Sequence, residues 1–251
     1  MTTQFPRLGD IPAASWERLS KKKIYFGHHS VGFNIIDGIR DLMEENPQIK
    51  LNIVETADPG DFKAGIFAHS RVGENVDPKS KIDAFANFIE QGIGSIADIA
   101  FFKFCYVDFD SNTDVKKIYE DYKDAMSRMK KRYPAVTFLH VTVPLRTTKT
   151  TWKTTLKKLI GKKDIWEYAD NVPRNEFNEL LMKEYDGKEP IFNLAQIEST
   201  FPDGRRSSFT KDGKTYYSLV PDYTYDGGHL NEKGRKKLAE QLLIFLAKLS
   251  G

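Results

Sequence analysis

The chain has 251 residues, of which 40% are hydrophobic and 29% charged, so it can bury a core and is not a disordered segment. Its net charge of +3 is too close to balance to indicate nucleic-acid binding, and its one cysteine, Cys105, excludes an internal disulfide or a multi-cysteine metal site. No apolar run approaches the ~20 residues that a membrane-spanning helix needs.

The start of the chain lacks the basic and apolar regions of a signal peptide. A cytoplasmic location is therefore expected, with a secreted or periplasmic location as the alternative if a signal peptide has been removed. With no internal repeat and no convincing linker, we expect a single domain over residues 1–251, with its core at about 22–249. Residues 1–20 are expected to be a lead-in, and residues 146–170 and 203–220 to be insertions near the functional site.

Short apolar segments predict five strands, at residues 22–27, 51–56, 97–105, 136–143 and 191–195. Apolar residues at helical spacing predict helices at residues 35–46, 81–91, 114–133 and 175–185, and a last helix that Asn231 caps. Residues 57–79 are predicted to be a long loop, and Lys211-Asp-Gly-Lys214 indicates a β-hairpin. This order of elements predicts an α/β fold, a three-layer α/β/α sandwich around a five-stranded, mostly parallel, flavodoxin-like sheet.

A serine stands where chemistry is expected in such a fold, beyond the carboxyl end of the first strand. Ser30 follows that strand in Gly27-His-His-Ser30, at the turn into a helix. The amide N–H groups and the dipole of the helix N-terminus favour negative charge there. The simpler interpretation is that Ser30 is only an N-cap, a position that serine commonly occupies.

A second motif near the other end of the chain strengthens the catalytic interpretation. Asp226-Gly-Gly-His229 places an acid three residues before a histidine, just ahead of the last predicted helix. Taken singly, Asp226 would be a turn residue and His229 a surface imidazole. Together with Ser30 they supply a nucleophile, a base and an orienting carboxylate, the three roles of acyl-transfer catalysis.

These motifs resemble the SGNH, or GDSL-type, hydrolases over nearly the whole chain. In that family the nucleophilic serine follows the first strand and an Asp-x-x-His-Leu motif precedes the last helix, as Ser30 and Asp226-Gly-Gly-His229-Leu230 do here. The resemblance implies that Ser30 is the nucleophile, His229 the base and Asp226 the acid that orients it. It also implies that Gly73, in a loop before a helix, joins Ser30 in donating backbone N–H groups to the oxyanion.

The chain departs from the family pattern in two of its blocks. The first block reads Gly-His-His-Ser, so His29 stands where the family has an aspartate. In the third block, Cys105, Tyr106 and Val107 stand where the family has Gly-x-Asn, and Asp108 follows. The asparagine that would donate a third hydrogen bond to the oxyanion is therefore missing.

Two other residues are candidates for that third donor. Lys103 is the first, because a lysine inside so apolar a strand is costly unless it is paired. The alternatives for Lys103 are an ion pair with Asp108 or a side chain that reaches solvent at the edge of the sheet. Asn75 is the next candidate donor.

Residues beside the predicted site are candidates for substrate contacts. We expect His29, His69, Arg71 and Asp108 to contact the substrate, together with Trp152. Trp152 lies in a lysine-rich stretch after the fourth predicted strand, where its ring would stack on a sugar. The alternative for this stretch is a solvated loop and amphipathic helix.

Neighbouring histidines raise a metal-binding alternative. His28 and His29 are close to Ser30, and would meet Asp226 and His229 if the catalytic interpretation holds. Adjacent residues of an extended chain point in opposite directions, so at most one of the two histidines would be a ligand. We therefore expect no metal and no cofactor.

The expected function is that of a serine ester hydrolase of SGNH type, which removes small acyl groups from a carbohydrate or a similar small ester through an acyl-enzyme. A catalytically silent binding protein on the same fold is one alternative, favoured by the missing asparagine, and an acyltransferase is another. The only partner predicted is the ester substrate, with no nucleic acid and no membrane span. The sequence does not indicate an oligomeric state.

Overall fold

The computed structural model describes residues 5–148 and 166–251, and within them a sheet of six parallel strands. These strands are β1 (Lys23–His28), β2 (Ile53–Glu55), β3 (Ile66–Arg71), β4 (Ile99–Phe102), β5 (Thr137–Val141) and β6 (Ile191–Phe192). Their order across the sheet is β2-β3-β1-β4-β5-β6. The predicted α/β fold with a mostly parallel sheet is confirmed, whereas the predicted count of five strands is wrong by one.

The strand that the prediction missed is β3, which lies inside the segment 57–79 that was predicted to be a loop. Its apolar start, Ile66-Phe67-Ala68, is followed by three polar residues, so the apolar run is short. β3 forms because β2 and β1 pair with it on its two sides, and those contacts are remote in sequence. Without β2 the order of the remaining strands is the flavodoxin-like one, and β2 adds an edge strand to it.

Helices cover both faces of the sheet and complete a three-layer α/β/α sandwich. They are α1 (Ala13–Ser20), α2 (Val31–Glu45), α3 (Pro78–Glu90), α4 (Val115–Arg132), α5 (Trp166–Tyr185), α6 (Leu194–Ser199) and α7 (Glu232–Leu249). Buried side chains of α1, α2, α6 and α7 form the core on one face, and those of α3, α4 and α5 form the core on the other. Among the helices described, none is both long and apolar enough to cross a membrane.

Local sequence signals account for several element ends. The Asn231 side chain accepts a hydrogen bond from the Gly234 N–H at 3.0 Å, which confirms it as the cap of α7. The predicted hairpin is also present, as β7 (Ser208–Lys211) and β8 (Lys214–Tyr217). The two residues of its turn, Asp212 and Gly213, have φ values of 50° and 76°, as a tight hairpin turn requires.

Two segments differ from their predicted extent. The lead-in predicted at residues 1–20 contains α1, whose Trp16 and Leu19 are buried in the core. The last predicted strand, residues 191–195, ends at Phe192, because the Asn193 side chain caps α6 by accepting a hydrogen bond from the Gln196 N–H at 3.0 Å.

The sheet places Ser30 at a topological switch point. β1 lies between β3 and β4, with His28 in register with Arg71 and Gly27 in register with Phe102. The chain therefore continues from β1 to one side of the sheet and later returns to the other side. The loops that follow these three strands meet at a crevice beyond their carboxyl ends, which is where ligands bind in open α/β sheets.

Helices α2 and α7 pack closely at Gly38, and this contact bears on the site. A Cβ on Gly38 would lie 2.5 Å from the Arg235 carbonyl oxygen and 2.9 Å from the Ala239 Cβ, so only glycine fits. Because α2 begins after Ser30 and α7 begins two residues after Leu230, the packing of the two helices sets how closely the Ser30 turn and the Asp226–His229 motif approach each other.

We expect Gly38→Ala to lower the free energy of unfolding by about 1–2 kcal/mol. Overpacking between the helices costs ~1–3 kcal/mol, and the better helix propensity of alanine offsets part of that cost. Chemical denaturation measures the change, with Gly9→Ala as the control, since a Cβ at Gly9 has no atom within 4 Å. Equal midpoints for both variants and the wild type would show that the helices are not in close contact at Gly38.

Candidate active site

Ser30 occupies the N-cap position of α2, but its hydroxyl does not cap the helix. Its carbonyl accepts the Phe33 N–H at 2.8 Å, whereas within the described residues its side chain makes no capping hydrogen bond. Its φ of 41° and ψ of −101° are rarely adopted by serine, and such a conformation costs ~1–3 kcal/mol. The backbone of Ser30 is thus strained, and among the described residues its hydroxyl does not cap α2. The N-cap interpretation explains neither feature.

His29 connects the end of β1 to the loop after β3. Its Nε2 lies 2.9 Å from the Gly73 carbonyl oxygen, and because a carbonyl only accepts, Nε2 carries the proton and donates. Burial lowers the pKa of His29, which favours the neutral ring. His29, predicted to contact the substrate, therefore holds the Gly73 loop in place with one of its ring nitrogens.

Gly73 has the backbone that only a glycine adopts readily. Its φ is +58°, and a Cβ would lie 2.5 Å from the backbone nitrogen of Lys81 and 2.5 Å from the carbonyl carbon of Ser80. Within the described part of the chain, neither the Gly73 N–H nor the Ser30 N–H donates a hydrogen bond. Both groups are thus available to an external acceptor, as the resemblance implies for oxyanion donors.

Asp226 and His229 form a hydrogen-bonded pair. Asp226 Oδ2 accepts from His229 Nδ1 at 2.5 Å, while its Oδ1 accepts the N–H groups of Gly228 and His229 at 2.9 Å and 2.7 Å. Burial alone would raise the pKa of Asp226, but these hydrogen bonds lower it overall. With the carboxylate ionised, the proton of the neutral imidazole resides on Nδ1, so the lone pair of Nε2 is available to act as a base.

A single hydrogen bond ties the His229 loop to the helix that follows Ser30. The Asn34 Oδ1, one helical turn after Ser30, accepts the Leu230 N–H at 3.1 Å. No hydrogen bond joins Ser30 directly to His229 among the residues that the structure describes. The Tyr106 hydroxyl lies 3.4 Å and 3.5 Å from the two ring nitrogens of His229, so both contacts are long for hydrogen bonds. Neither Asn34 nor Tyr106 was predicted from the sequence to contact the loop that carries His229.

One exposed aromatic ring lies beside His229, and two guanidinium groups lie over other aromatic rings. Tyr225 is 70% exposed, and its ring lies parallel to that of His229 at a centroid distance of 6.1 Å. The guanidinium of Arg146 lies over the Tyr106 ring at 5.5 Å. Arg71, at the end of β3, is exposed and lies over the Phe33 ring at 5.3 Å. The position of Arg71 is compatible with its predicted contact to the substrate.

Lys103 is fully buried, and its Nζ donates to the Phe104 carbonyl oxygen at 3.1 Å. Burial lowers its pKa. The alternative of an ion pair between Lys103 and Asp108 is wrong, because Asp108 pairs with Lys81 instead, at 2.7 Å. The sequence does not indicate this pairing, because Lys81 lies on α3, far from Asp108 in the chain.

Asp108 is 3% exposed, so its predicted contact with the substrate is not supported. Its carboxylate instead accepts the Val76 N–H at 3.0 Å and the Cys105 N–H at 2.6 Å, in addition to the Lys81 ammonium. Lys81 also donates to the Asn75 Oδ1 at 2.9 Å. Lys81 was missed by the sequence analysis, because nothing in α3 distinguishes it from a solvated lysine.

The prediction that His69 contacts the substrate is also corrected by the structure. His69 is 1% exposed, and its Nδ1 lies 3.1 Å from the Nε2 of the fully buried His28. Burial is the main cause that lowers the pKa of both rings, which favours their neutral forms. His28 also packs under the start of α2, where a Cβ on Gly32 would lie 2.3 Å from its ring.

Trp152, the remaining predicted substrate contact, lies outside the described residues. Within the described ranges, no group of three or more His, Cys, Asp or Glu side chains is arranged to hold a metal ion. His28 and His29 point to different partners, as expected for adjacent residues at a strand end.

Solved structures with little sequence identity share this architecture. A candidate acylhydrolase of Bacteroides fragilis has a TM-score of 0.55 at 13% identity, over 95% of both chains. A protein of Streptococcus pneumonia, described as a candidate platelet activating factor, has a TM-score of 0.52 at 12% identity, over 93% of this chain and 90% of that one. These likenesses show the fold. A GDSL-like lipase of Bacteroides thetaiotaomicron gives a TM-score of 0.49 at 13% identity, over 95% of this chain and 100% of that one. No protein-family model and no curated protein matches the chain.

A buried acid lies under the segment that follows β5. Glu198 of α6 is fully buried, and its Oε1 accepts the Leu145 N–H at 2.5 Å. Its Oε2 has no hydrogen-bond partner among the described residues. Burial raises the pKa of Glu198 from its ordinary value of 4.5 to about 8, so the carboxyl is protonated in the folded protein at neutral pH.

We expect the stability of the wild type to fall between pH 5 and pH 8 relative to that of Glu198→Gln. Over this range the unfolded chain has lost the proton of Glu198 while the folded chain still binds it, so each pH unit costs the folded state about 1.4 kcal/mol. Glutamine does not titrate and keeps the oxygen that accepts from Leu145. Denaturant unfolding measures this effect. Between pH 5 and pH 8, the free energy of unfolding of Glu198→Gln minus that of the wild type should rise by about 3 kcal/mol. Parallel pH curves would contradict a protonated Glu198.

Proposed function

We propose that this chain is a serine ester hydrolase of SGNH type, with Ser30 as nucleophile, His229 as base and Asp226 as the acid that orients it. The observation that carries the proposal is the hydrogen-bonded Asp226–His229 pair, tied through Leu230 to the first turns of the helix that begins after Ser30. Ser30 contributes a strained backbone to this arrangement, and among the described residues its hydroxyl makes no capping hydrogen bond.

The first half of the reaction forms an acyl-enzyme. The Ser30 Oγ attacks the carbonyl carbon of the ester while its proton passes to the His229 Nε2. The Asp226 carboxylate holds the Nδ1 proton and stabilises the imidazolium that results. The negative charge that develops on the carbonyl oxygen is stabilised by the N–H groups of Ser30 and Gly73. Collapse of the tetrahedral intermediate breaks the ester bond, and the leaving alcohol takes the proton from the imidazolium.

The second half releases the acyl group. Water attacks the acyl carbon, His229 takes a proton from that water, and the Ser30 oxygen leaves and recovers its proton from His229. The free acid is the product. The direct Ser30–His229 hydrogen bond has to form during this cycle, and catalytic hydrogen bonds commonly tighten only when the substrate is bound.

We further propose that the substrate is a small acyl group on a carbohydrate or a similar small ester. The support is the exposed ring of Tyr225, which lies parallel to the His229 imidazole and offers a flat apolar face beside the base. Such a face suits the apolar face of a sugar ring and leaves the hydroxyl groups of the sugar in water.

Release of p-nitrophenol from p-nitrophenyl acetate, and of acetate from acetylated sugars, tests this function. A hydrolase releases acetate with water as the only acceptor. An acyltransferase would need an added alcohol for turnover, and a silent binding protein would show neither reaction nor labelling by a fluorophosphonate. Acetate release without an added acceptor supports the proposal, and either of the other results contradicts it.

A further inference from the structure

The side-chain amide of Asn75 is oriented by a buried cation. Asn75 is exposed in the loop after β3, and its Oδ1 lies 2.9 Å from the Lys81 Nζ. An ammonium group only donates, so the amide oxygen faces Lys81 and the Nδ2 group is turned away from it. Within the described residues this Nδ2 group has no hydrogen-bond partner.

Lys81 is itself held by Asp108. The Lys81 ammonium donates to both Asp108 carboxylate oxygens, at 2.8 Å and 2.7 Å, and both side chains are completely buried. The same carboxylate accepts the Val76 N–H from the loop after β3 and the Cys105 N–H from the loop after β4. One buried ion pair therefore joins the two loops in which the oxyanion donors of the resembled family lie.

The loop that carries Asn75 is kept in a strained conformation. Gly73 has a φ of 58°, and Val76, a β-branched residue, has a φ of 68° with its side chain 71% exposed. A β-branched residue with positive φ is a genuine outlier, and such strain persists only where the surrounding structure enforces it. Here the Val76 N–H is held by Asp108 and the Gly73 carbonyl by His29.

We propose that Asn75 is the third oxyanion donor and that Lys81 is the residue that positions it. This inference rests on the proposed function. Two oxygen atoms of this loop are held by hydrogen bonds, the Gly73 carbonyl oxygen by His29 and the Asn75 Oδ1 by Lys81. Among the described residues, the Gly73 N–H and the Asn75 Nδ2 group donate no hydrogen bond, and the Asn75 Nδ2 group takes the place of the asparagine absent from the third block. Asn75 would touch the reacting atoms, whereas Lys81 acts only through Asn75.

Asn75→Asp tests the donor directly. The aspartate keeps an oxygen for Lys81 but puts an acceptor where the Nδ2 donor was. With p-nitrophenyl acetate we expect kcat to fall ~10²–10³-fold, the loss measured for one missing oxyanion donor, with the melting temperature retained. Asn52→Asp is the matched control, because Asn52 is exposed and precedes β2 at the opposite end of the sheet.

The positioning role of Lys81 needs a variant that folds. Lys81→Met alone leaves a buried, unpaired carboxylate, so Lys81→Met is combined with Asp108→Asn, which removes that charge and keeps an acceptor for one of the two backbone N–H groups. We expect kcat in this pair to fall by about the same factor as in Asn75→Asp, with little further loss when all three changes are combined. If Lys81 acts only on stability, its effect on kcat is independent of Asn75. The two losses in kcat would then multiply in the variant that combines all three changes.

The outcomes separate this inference from the proposed function. If the wild type hydrolyses the ester and Asn75→Asp retains its kcat within about threefold of the wild type, the inference is overturned and the proposed function stands. The same holds if Lys103→Met, and not Asn75→Asp, loses ~10²-fold in kcat, because Lys103 is then the donor. If the wild type neither hydrolyses the ester nor is labelled at Ser30, the proposed function fails and the inference fails with it.

Discussion

Replacing Ser30 by alanine is expected to abolish ester hydrolysis, with a loss of at least ~10⁴-fold in kcat. The variant lacks the oxygen that forms the acyl-enzyme, and the other groups of the site do not supply a substitute. The fold should remain intact, because the Ser30 hydroxyl does not cap α2 in the part of the chain that the structure describes, and even a true N-cap serine contributes only ~1 kcal/mol. Turnover of p-nitrophenyl acetate and thermal melting give the two readouts.

A serine outside the site provides the control for this substitution. The Ser20 hydroxyl donates to the Glu17 carbonyl oxygen at 2.8 Å at the end of α1, remote from the carboxyl ends of the strands. Ser20→Ala should retain wild-type turnover. If Ser30→Ala also turns over at the wild-type rate, Ser30 is not the nucleophile.

Asp226→Asn is expected to lower kcat by ~10⁴-fold, the size of effect found when this substitution inverts the histidine tautomer in serine proteases. The asparagine oxygen would continue to accept the N–H groups of Gly228 and His229, so the loop keeps its conformation. Its amide group would then donate to His229 Nδ1. That forces the proton onto Nε2, where the ring cannot accept the proton of Ser30.

The loss in Asp226→Asn should appear in kcat with the loop and the melting temperature preserved. Asp203→Asn is a suitable control, because Asp203 also accepts a backbone N–H in a turn, that of Arg205, at 3.0 Å, and pairs with the Arg205 side chain. A loss below about tenfold in Asp226→Asn would mean that Asp226 does not orient the base.

Local signals in the sequence were sufficient for most of the fold. The cap at Asn231 and the turn residues Asp212 and Gly213 act within a few residues of themselves, so they could be recognised without knowledge of the rest of the chain. β3 could not be recognised in this way. Its strand character depends on pairing with β1 and β2, and its last residues, His69-Ser70-Arg71, are polar, so the apolar run that would mark a strand is short.

In the candidate site, too, the residues that belong to a short motif could be predicted, whereas those brought in by tertiary contacts could not. Asp226 and His229 are three residues apart, so their pairing follows from a short motif, and the structure contains it. Lys81, Asn34 and Tyr106 reach the site only through tertiary contacts, and no local pattern marks them. The alternative pairing of Lys103 with Asp108 is wrong because the partner of Asp108, Lys81, comes from another element.

Peptide mapping after reaction with a fluorophosphonate tests the central claim most directly. The reagent phosphonylates an activated serine, and trypsin cleavage after Lys23 and Arg40 isolates Ser30 on one peptide, residues 24–40. We expect a single adduct, on Ser30, that is absent from Ser30→Ala and strongly reduced in Asp226→Asn. Ester turnover by a wild-type protein whose Ser30 remains unmodified, or an adduct on another serine that abolishes turnover, would contradict the assignment of Ser30 as the nucleophile.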